Sequence, residues 1–401
     1  MEWIDVPDAW ACIEREVRPL PPETLPLQRA VGRVLARPVR TDREYPPFDR
    51  AAMDGFAVRS EDVGGARDGA PVRLEVVGEA TPGGAFAGEA GPGTAVRIMT
   101  GAPVPPGWDS VVPVERTSGF DTNPVSIHAP VRRRQNVAGR GSERAAGELL
   151  YDAGRRLLEP DIGALAMVGA QRIEVGRRPR VAVLATGDEL VPADTAPRPT
   201  QIRDSNSPML AALAAAEAAQ VVVLGSAPDV RAELDTIVSR GLQADLLVVS
   251  GGVSMGAYDF VGEALAAAGV RFHFERVRVQ PGKPVAFGSH VAGVVLALPG
   301  NPVSALVTFR LFGRTVLRCL QGMKQLRPVW GRAHAAFEWR RRSPKWVLLP
   351  GRSVDEGAAV ERVPCTGSGD LLAYARASCQ IVLPPDLERV APGDRVWVWP
   401  L

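Results

Sequence analysis

The sequence predicts a multidomain α/β protein whose central domain is a doubly wound, mostly parallel sheet. Three observations carry this. Between Arg180 and Leu320, short continuously apolar runs alternate with helical ones, as expected for parallel strands covered by helices on both faces. Three of those runs end in glycine-containing turns, at the edge where open parallel sheets bind ligands. On both sides of this stretch the texture changes to short β-type runs punctuated by Gly and Pro.

Along the chain, Val6 to Val17 reads as a helix. Pro26 to Ala36 reads as a second, from Leu27, Val31, Val34 and Leu35 at helical spacing. Tyr45 to Gly141 offers strands at Val72–Val77, Thr94–Met99, Ser110–Val114 and Val125–Ala129. Helical signal returns at Pro160–Gly169, so this β-rich domain is expected to be inserted into an N-terminal helical region. The α/β stretch offers strands Val181–Ala185, Val221–Leu224, Asp245–Ser250 and Val291–Leu298. Its helices are Pro208–Gln220 with Ser207 as cap, Val230–Arg240, Tyr258–Ala268 and Pro302–Leu320. After Pro328, short strands at Arg332–Phe337, Trp346–Leu349, Gln380–Leu383 and Arg395–Trp399 predict a small β-barrel-like domain. The expected boundaries are 1–44 with 143–177, 45–142, 178–326 and 327–401.

Composition narrows the function. The 47 basic and 45 acidic residues nearly cancel, which argues against a nucleic-acid footprint. The 4 cysteines (Cys12, Cys319, Cys365, Cys379) have no paired spacing and read as small buried hydrophobes in a reducing compartment. The isolated histidines argue against a His/Cys metal site. No apolar run approaches the ~20 residues that span a bilayer. Glu2, Asp5 and Asp8 leave the start unlike a secretory signal, so a cytoplasmic protein is expected.

The chemistry concentrates at the three strand ends: Thr186-Gly187-Asp188-Glu189, Ser250-Gly251-Gly252-Val253-Ser254 and Leu298-Pro299-Gly300-Asn301-Pro302. Glycine admits close backbone approach, and helix N-termini offer N–H groups to phosphate. Gln280-Pro281-Gly282-Lys283-Pro284 is a rigid turn that brings Lys283 to the same region, with Arg276 and Arg278 nearby. Asp188, Glu189, Asp229 and Asp259 fall near these ends. Carboxylates around a phosphate site suggest Mg²⁺; each could instead cap a helix, and for Asp229 taken alone that is the better reading. Asp204-Ser205-Asn206 precedes a helix at the same end of the sheet, where it can cap or contribute to the site. Two further segments, Ala52-Met53-Asp54-Gly55 and Met99-Thr100-Gly101-Ala102-Pro103, read as tight turns in the β-rich region.

In their order and spacing these segments, with Gly367-Ser368-Gly369-Asp370, resemble the molybdopterin molybdenumtransferase family, which includes MoeA and the gephyrin E domain. The resemblance spans essentially the whole chain. It implies the last step of molybdenum cofactor synthesis: adenylated molybdopterin and molybdate give the cofactor and AMP, assisted by Mg²⁺. It also implies a homodimer with an active site shared between subunits, and possible cooperation with the preceding adenylyltransferase. Neither a nucleic acid nor a membrane is an expected partner. Carried onto this chain, it implies Asp54, Thr100 and Glu143 from the N-terminal region. From the sheet domain it implies Glu189, Asp229, Asp259, Arg276, Lys283, Pro299 and Pro302. Asp54, Glu189 and Asp259 would hold the metal; with Thr100 they form the expected catalytic set. Asp188, Ser250, Gly251, Gly252, Ser254, Gly300 and Asn301 are added as phosphate or substrate contacts from their places in the loops.

The chain departs from the family pattern twice. Gln280 stands where many members carry Lys, and Arg140-Gly141-Ser142-Glu143 replaces a stretch ending in Asp. The alternatives are an adenylyltransferase, which shares the Gly-Gly-Val-Ser type of sheet domain, and a non-catalytic molybdopterin-binding scaffold. The residues do not separate molybdate from tungstate.

Overall fold

The computed structural model describes residues 3–84, 86–227, 231–252 and 260–401. The expected residues Asp229, Ser254 and Asp259 lie outside that set, as do the first residues of the expected helices Val230–Arg240 and Tyr258–Ala268. The chain forms two compact units: Met1–Arg37 with Ala153–Gly163 and Gln171–Leu401, and Pro38–Asp152 with Ala164–Ala170.

In the larger unit a six-stranded sheet runs in the order Gln220–Ala227, Arg180–Thr186, Leu246–Ser250, Gly293–Leu298, Ala286–His290 and Arg271–Phe274. The first four strands are parallel, and the next two join antiparallel. The central strands are buried nearly throughout, as their apolar runs require. One face packs on Val6, Ile13, Leu210, Val303 and Phe312, the other on Leu234, Val238, Val261 and Leu265. Thus helices cover both faces, as the alternation predicts.

The two antiparallel strands Arg271–Phe274 and Ala286–His290 are additions to the sequence reading. Gly288, Ser289 and His290 interrupt the apolar run that would have signalled the second of them. The expected strand Val291–Leu298 begins instead at Gly293, because Val291 and Ala292 form the hairpin turn, with Val291 95% exposed.

The expected helix Pro26–Ala36 is not formed. Pro22–Pro26 is a strand paired antiparallel with Arg172–Gly176, and only Leu27–Arg29 turns, as a 3₁₀ segment. Pro26 cannot donate within a helix, and Gly32 sits at φ +76, so local sequence breaks the run while long-range pairing recruits its start. The helices Val6–Glu16, Glu159–Met167 and Asn206–Ala216 do form. The stretch Pro302–Leu320 is also helical, with a π-type turn at Phe309–Gly313.

At the C-terminus the strands Trp346–Val354, Ala359–Arg362, Gly331–Ala335, Arg395–Pro400 and Cys379–Leu383 pair in sequence, and the last closes on the first. Closure removes sheet edges and gives the expected small barrel. The short strand Val279–Gln280 pairs with Trp346–Val347, which brings the Gln280–Pro284 turn against the barrel. In the smaller unit a five-stranded sheet runs Ser110–Pro113, Gly55–Val58, Thr94–Ile98, Val72–Ala80 and Val125–Ile127, around Phe56, Leu74, Val112 and Ile127.

Cys12, Cys319 and Cys379 are buried and free, as read from their isolation. Cys365 departs from that reading: it is half-buried and lines a cavity. No helix among the described residues is long and apolar enough to cross a membrane.

Candidate functional site

The carboxyl ends of the parallel strands open into a cleft of about 720 Å³. Its walls include Thr186, Gly187, Glu189, Asp204, Asn206, Ser250, Gly251, Gly252, Pro299, Gly300, Asn301 and Pro302. The topology therefore brings the three glycine turns into one site, with Asp204-Ser205-Asn206 as a fourth contributor.

The glycines are needed mainly to let the loops pack on one another. Gly251 has φ +99, and a Cβ there would lie 2.5 Å from the Thr186 carbonyl oxygen. A Cβ on Gly252 would lie 2.2 Å from Val261. Their backbone donors are also used internally. Gly251 N–H donates to the Leu298 carbonyl and Gly187 N–H to that of Ala227.

The helix N-termini are similarly engaged. The Asp204 carboxylate accepts from the N–H groups of Asn206 and Ser207, each at 3.0 Å, so it caps the helix in place of the expected Ser207. At the following turn, Val303 N–H donates to the Ser368 carbonyl, and Asn301 Nδ2 donates to Ser368 Oγ at 2.9 Å. The open helix N-termini expected for phosphate are thus largely closed by this protein's own residues at these two places.

Ser250 is 1% exposed, and both functions of its hydroxyl are spent: it accepts from Asn206 Nδ2 at 2.8 Å and donates to the Pro299 carbonyl at 3.3 Å. Asn206 Nδ2 also donates to the Gly300 carbonyl at 2.7 Å. Asn206 thereby ties two strand ends together. Its position just before a helix at the ligand end of the sheet was the signal available in the sequence. Glu189 is exposed at the cleft; Asp188 is exposed and does not line it.

Lys283 belongs to a neighbouring cavity of about 450 Å³, which shares Pro284, Pro299 and Asn301 with the cleft. This cavity is lined by Gln280, Ser304, Arg362, Cys365, Ser368 and Tyr374 among others, so barrel and sheet residues both contribute. The Lys283 ammonium lies 4.9 Å from the Trp3 ring centroid. Arg276 is half-buried and lines neither cavity; its carbonyl accepts from Ile4 N–H. A further polar cavity on the barrel side, lined by Arg340, Arg341, Arg342 and Arg362, shares Gln280 and Cys365 with the Lys283 cavity.

In the smaller unit, Asp54 and Thr100 meet. Asp54 Oδ1 accepts from both the N–H and the hydroxyl of Thr100, each at 2.7 Å. The backbone bond and then the hydroxyl hold the exposed Asp54 carboxyl below the usual range, and it stays ionised. Nearby in sequence, Asp49 belongs to the site's frame without any local sequence signal of it. Its carboxylate takes a forked contact from Arg134 at 3.0 and 3.1 Å and accepts from Arg140 N–H at 2.7 Å, which pins the glycine loop before Glu143. Glu143 is exposed and accepts from Arg50 at 2.7 Å.

Among the described residues no group of three or more His, Cys, Asp and Glu could hold a metal. Hard carboxylate oxygens are nevertheless available singly, at Glu189 in the cleft and at Asp54. Each taken singly is the kind of oxygen donor that Mg²⁺ accepts, since that ion keeps several waters and binds through one or two carboxylates plus phosphate oxygens.

Comparison with known proteins is consistent along the whole chain. Residues 4–169 match the model of the MoeA N-terminal region (domain I and II), 182–319 a probable molybdopterin binding domain, and 332–401 the MoeA C-terminal region (domain IV). Molybdopterin molybdenumtransferase 2 of Mycobacterium tuberculosis is 37% identical over 389 residues, covering 95% of each chain. The molybdopterin molybdenumtransferase of a Nostoc species is 36% identical over 384 residues, covering 94% of this chain and 88% of the relative. A molybdopterin biosynthesis moeA protein of Pyrococcus horikoshii superposes with TM-score 0.86 at 25% identity over 100% of both chains.

Proposed function

Because the chain belongs to the molybdopterin molybdenumtransferase family, we propose that it inserts molybdenum from molybdate into adenylated molybdopterin and releases AMP. The observation that carries this reading is a pair of adjoining cavities with different chemistry. The strand-end cleft is large and mainly uncharged, and suits a nucleotide-bearing pterin. The cavity beside it gathers Lys283, Arg362, Ser304 and Ser368, cations and hydroxyls that suit a small dianion such as molybdate. Their common wall of Pro284, Pro299 and Asn301 supports a reading in which the two substrates lie side by side.

The pterin dithiolene sulfurs replace two oxygens of molybdate, and those oxygens leave as water or hydroxide. Water cleaves the phosphoanhydride, and AMP departs. Ser250 cannot serve as a nucleophile, since its hydroxyl is buried and doubly hydrogen bonded. Its role is to hold the Pro299 turn. Lys283 and Arg362 orient the oxyanion through charge. Glu189, with Asp54 and Asp259, would hold Mg²⁺, which supplies charge stabilisation at the phosphoanhydride.

In this reading Asp54, Thr100 and Glu143 come from the second subunit of a homodimer, and the chain divides into domains 1–44 with 143–177, 45–142, 178–326 and 327–401. The test is AMP release from adenylated molybdopterin in the presence of Mg²⁺ and molybdate. No molybdate-dependent release by the purified chain overturns the reading. Mixing Asp54→Asn with Glu189→Gln variants tests the sharing: partial recovery of activity is expected, and none if each subunit works alone.

A further inference from the structure

Two buried polar atoms of the strand-end cleft have no hydrogen-bond partner among the described residues: Thr186 Oγ1 and Asn206 Oδ1. Both residues line the cleft. The orientation of the Asn206 amide follows from its neighbours. The atom 2.7 Å from the Gly300 carbonyl oxygen must be nitrogen, because a carbonyl only accepts. That leaves Oδ1 as a fixed, unused acceptor. Thr186 is 5% exposed and ends its strand, with its hydroxyl close to the positions that a Cβ on Gly251 or Gly252 would take, 2.9 and 3.0 Å away. Larger residues at 251 or 252 would crowd it.

Buried polar atoms without partners are costly, and in a cleft they point to what a ligand supplies. Asn206 Oδ1 demands an N–H or O–H donor. An ionised phosphate has none and would meet this oxygen with like partial charge. The Thr186 hydroxyl, on the wall of the same cleft, can donate to a ligand lone pair.

We infer that Thr186 and Asn206 are a specificity-determining pair that reads the heterocyclic edge of the substrate, not its phosphate. A ring-bound N–H donates to Asn206 Oδ1, and Thr186 Oγ1 donates to the adjacent ring nitrogen. The inference rests on the proposed placement of adenylated molybdopterin in this cleft. Two parts of that substrate present such an edge: the 6-amino group and N1 of adenine, and the aminopyrimidine ring of the pterin.

Isothermal titration of the full chain with AMP, IMP and pterin-6-carboxylate separates these sources. The variants are Thr186→Val, which keeps shape and removes the hydroxyl, and Thr186→Ser, which restores it. Thr186→Ala serves if the valine chain fails to fold. If adenine is read, the unaltered chain binds AMP at least about tenfold tighter than IMP, Thr186→Val brings the two within about threefold, and Thr186→Ser restores the gap. If the pterin is read, Thr186→Val weakens pterin-6-carboxylate by about tenfold and leaves AMP unchanged. Loss of the hydroxyl with no change in any of the three affinities overturns the inference, as does failure of the unaltered chain to bind any of them. Molybdate-dependent AMP release, measured in parallel, tells whether the functional reading survives that failure.

Discussion

The Asp54 turn and the strand-end cleft are both built from glycine turns at strand ends, yet they spend their polar groups in opposite ways. Asp54 is exposed, and Thr100 engages just one of its carboxylate oxygens. The turn presents an ionised group held in one orientation and open to a ligand. In the cleft, most polar groups tie the frame together. Ser250 and the Gly251 N–H act on neighbouring loops, and Asp204 caps its own helix. Groups there without a protein partner among the described residues include Thr186 Oγ1 and Asn206 Oδ1, and Glu189 stands exposed at the rim. A glycine turn in a sequence is thus evidence of close approach, and the approaching party is as often another loop as a substrate.

The largest effect that would break this contrast is on the open side. Asp54→Asn keeps the shape and removes the charge; AMP release is expected to fall by at least about a hundredfold, with the melting temperature unchanged. An unaltered rate would return Asp54 to the status of a turn residue.

On the framed side the first effect is on stability. Glu217 follows the helix that carries Asn206; it is 1% exposed and pairs with Arg156 at 2.7 Å, Arg314 at 2.6 Å and Arg318 at 3.4 Å. Burial alone would push its carboxyl up, but Arg318, Arg314 and Arg156 outweigh it and hold the group below the ordinary value. Glu217→Gln leaves these cations uncompensated and is expected to cost about 3 kcal/mol in denaturant unfolding. Because the folded group binds its proton less readily than the unfolded one, its contribution is full above the unfolded value and is lost as pH falls through the folded one. The melting temperature of the unaltered chain should therefore drop more steeply below about pH 4 than that of the variant.

Next comes Gly251→Ala, which sets a Cβ 2.5 Å from the Thr186 carbonyl at φ +99, with an expected loss of about 2 kcal/mol. Gly300→Ala is the control: its Cβ would meet Gly251 Cα at an ordinary 3.6 Å, and stability should change by less than about 1 kcal/mol. Equal losses at the two sites would mean that loop packing is not what Gly251 serves.

The smallest effect concerns Thr100. Thr100→Val removes the hydroxyl bond to Asp54 and leaves the backbone one. The Asp54 carboxyl should rise toward its usual range, so the acid limb of the rate profile moves to higher pH, with a rate loss of about tenfold at neutral pH. An unmoved limb would separate Asp54 from the rate.

Much of this was legible in the sequence. The continuous apolar runs at Val181–Ala185 and Asp245–Ser250 specify buried parallel strands, and the glycine turns that follow them, with the one after Leu298, mark the edge that opens into the cleft. Less legible were features set by partners distant in sequence. Pro26–Ala36 carries helical spacing, but its first residue pairs with Arg172 in a ladder no local window contains. Gly288 and His290 hide an antiparallel strand that exists because Gly293–Leu298 lies beside it. Asp49 looks like a turn residue until Arg134 closes on it.

By itself the sequence determined the alternation of strands and helices, the glycine turns that line the cleft and the family, since these follow from local patterning and motif order. Only the tertiary structure decided which polar groups are spent and which are left over. Hydrogen-bond satisfaction depends on atoms brought within about 3 Å by packing. No spacing of residues along the chain reports that the Ser250 hydroxyl both donates and accepts within the frame while Asn206 Oδ1 has no partner among the described residues.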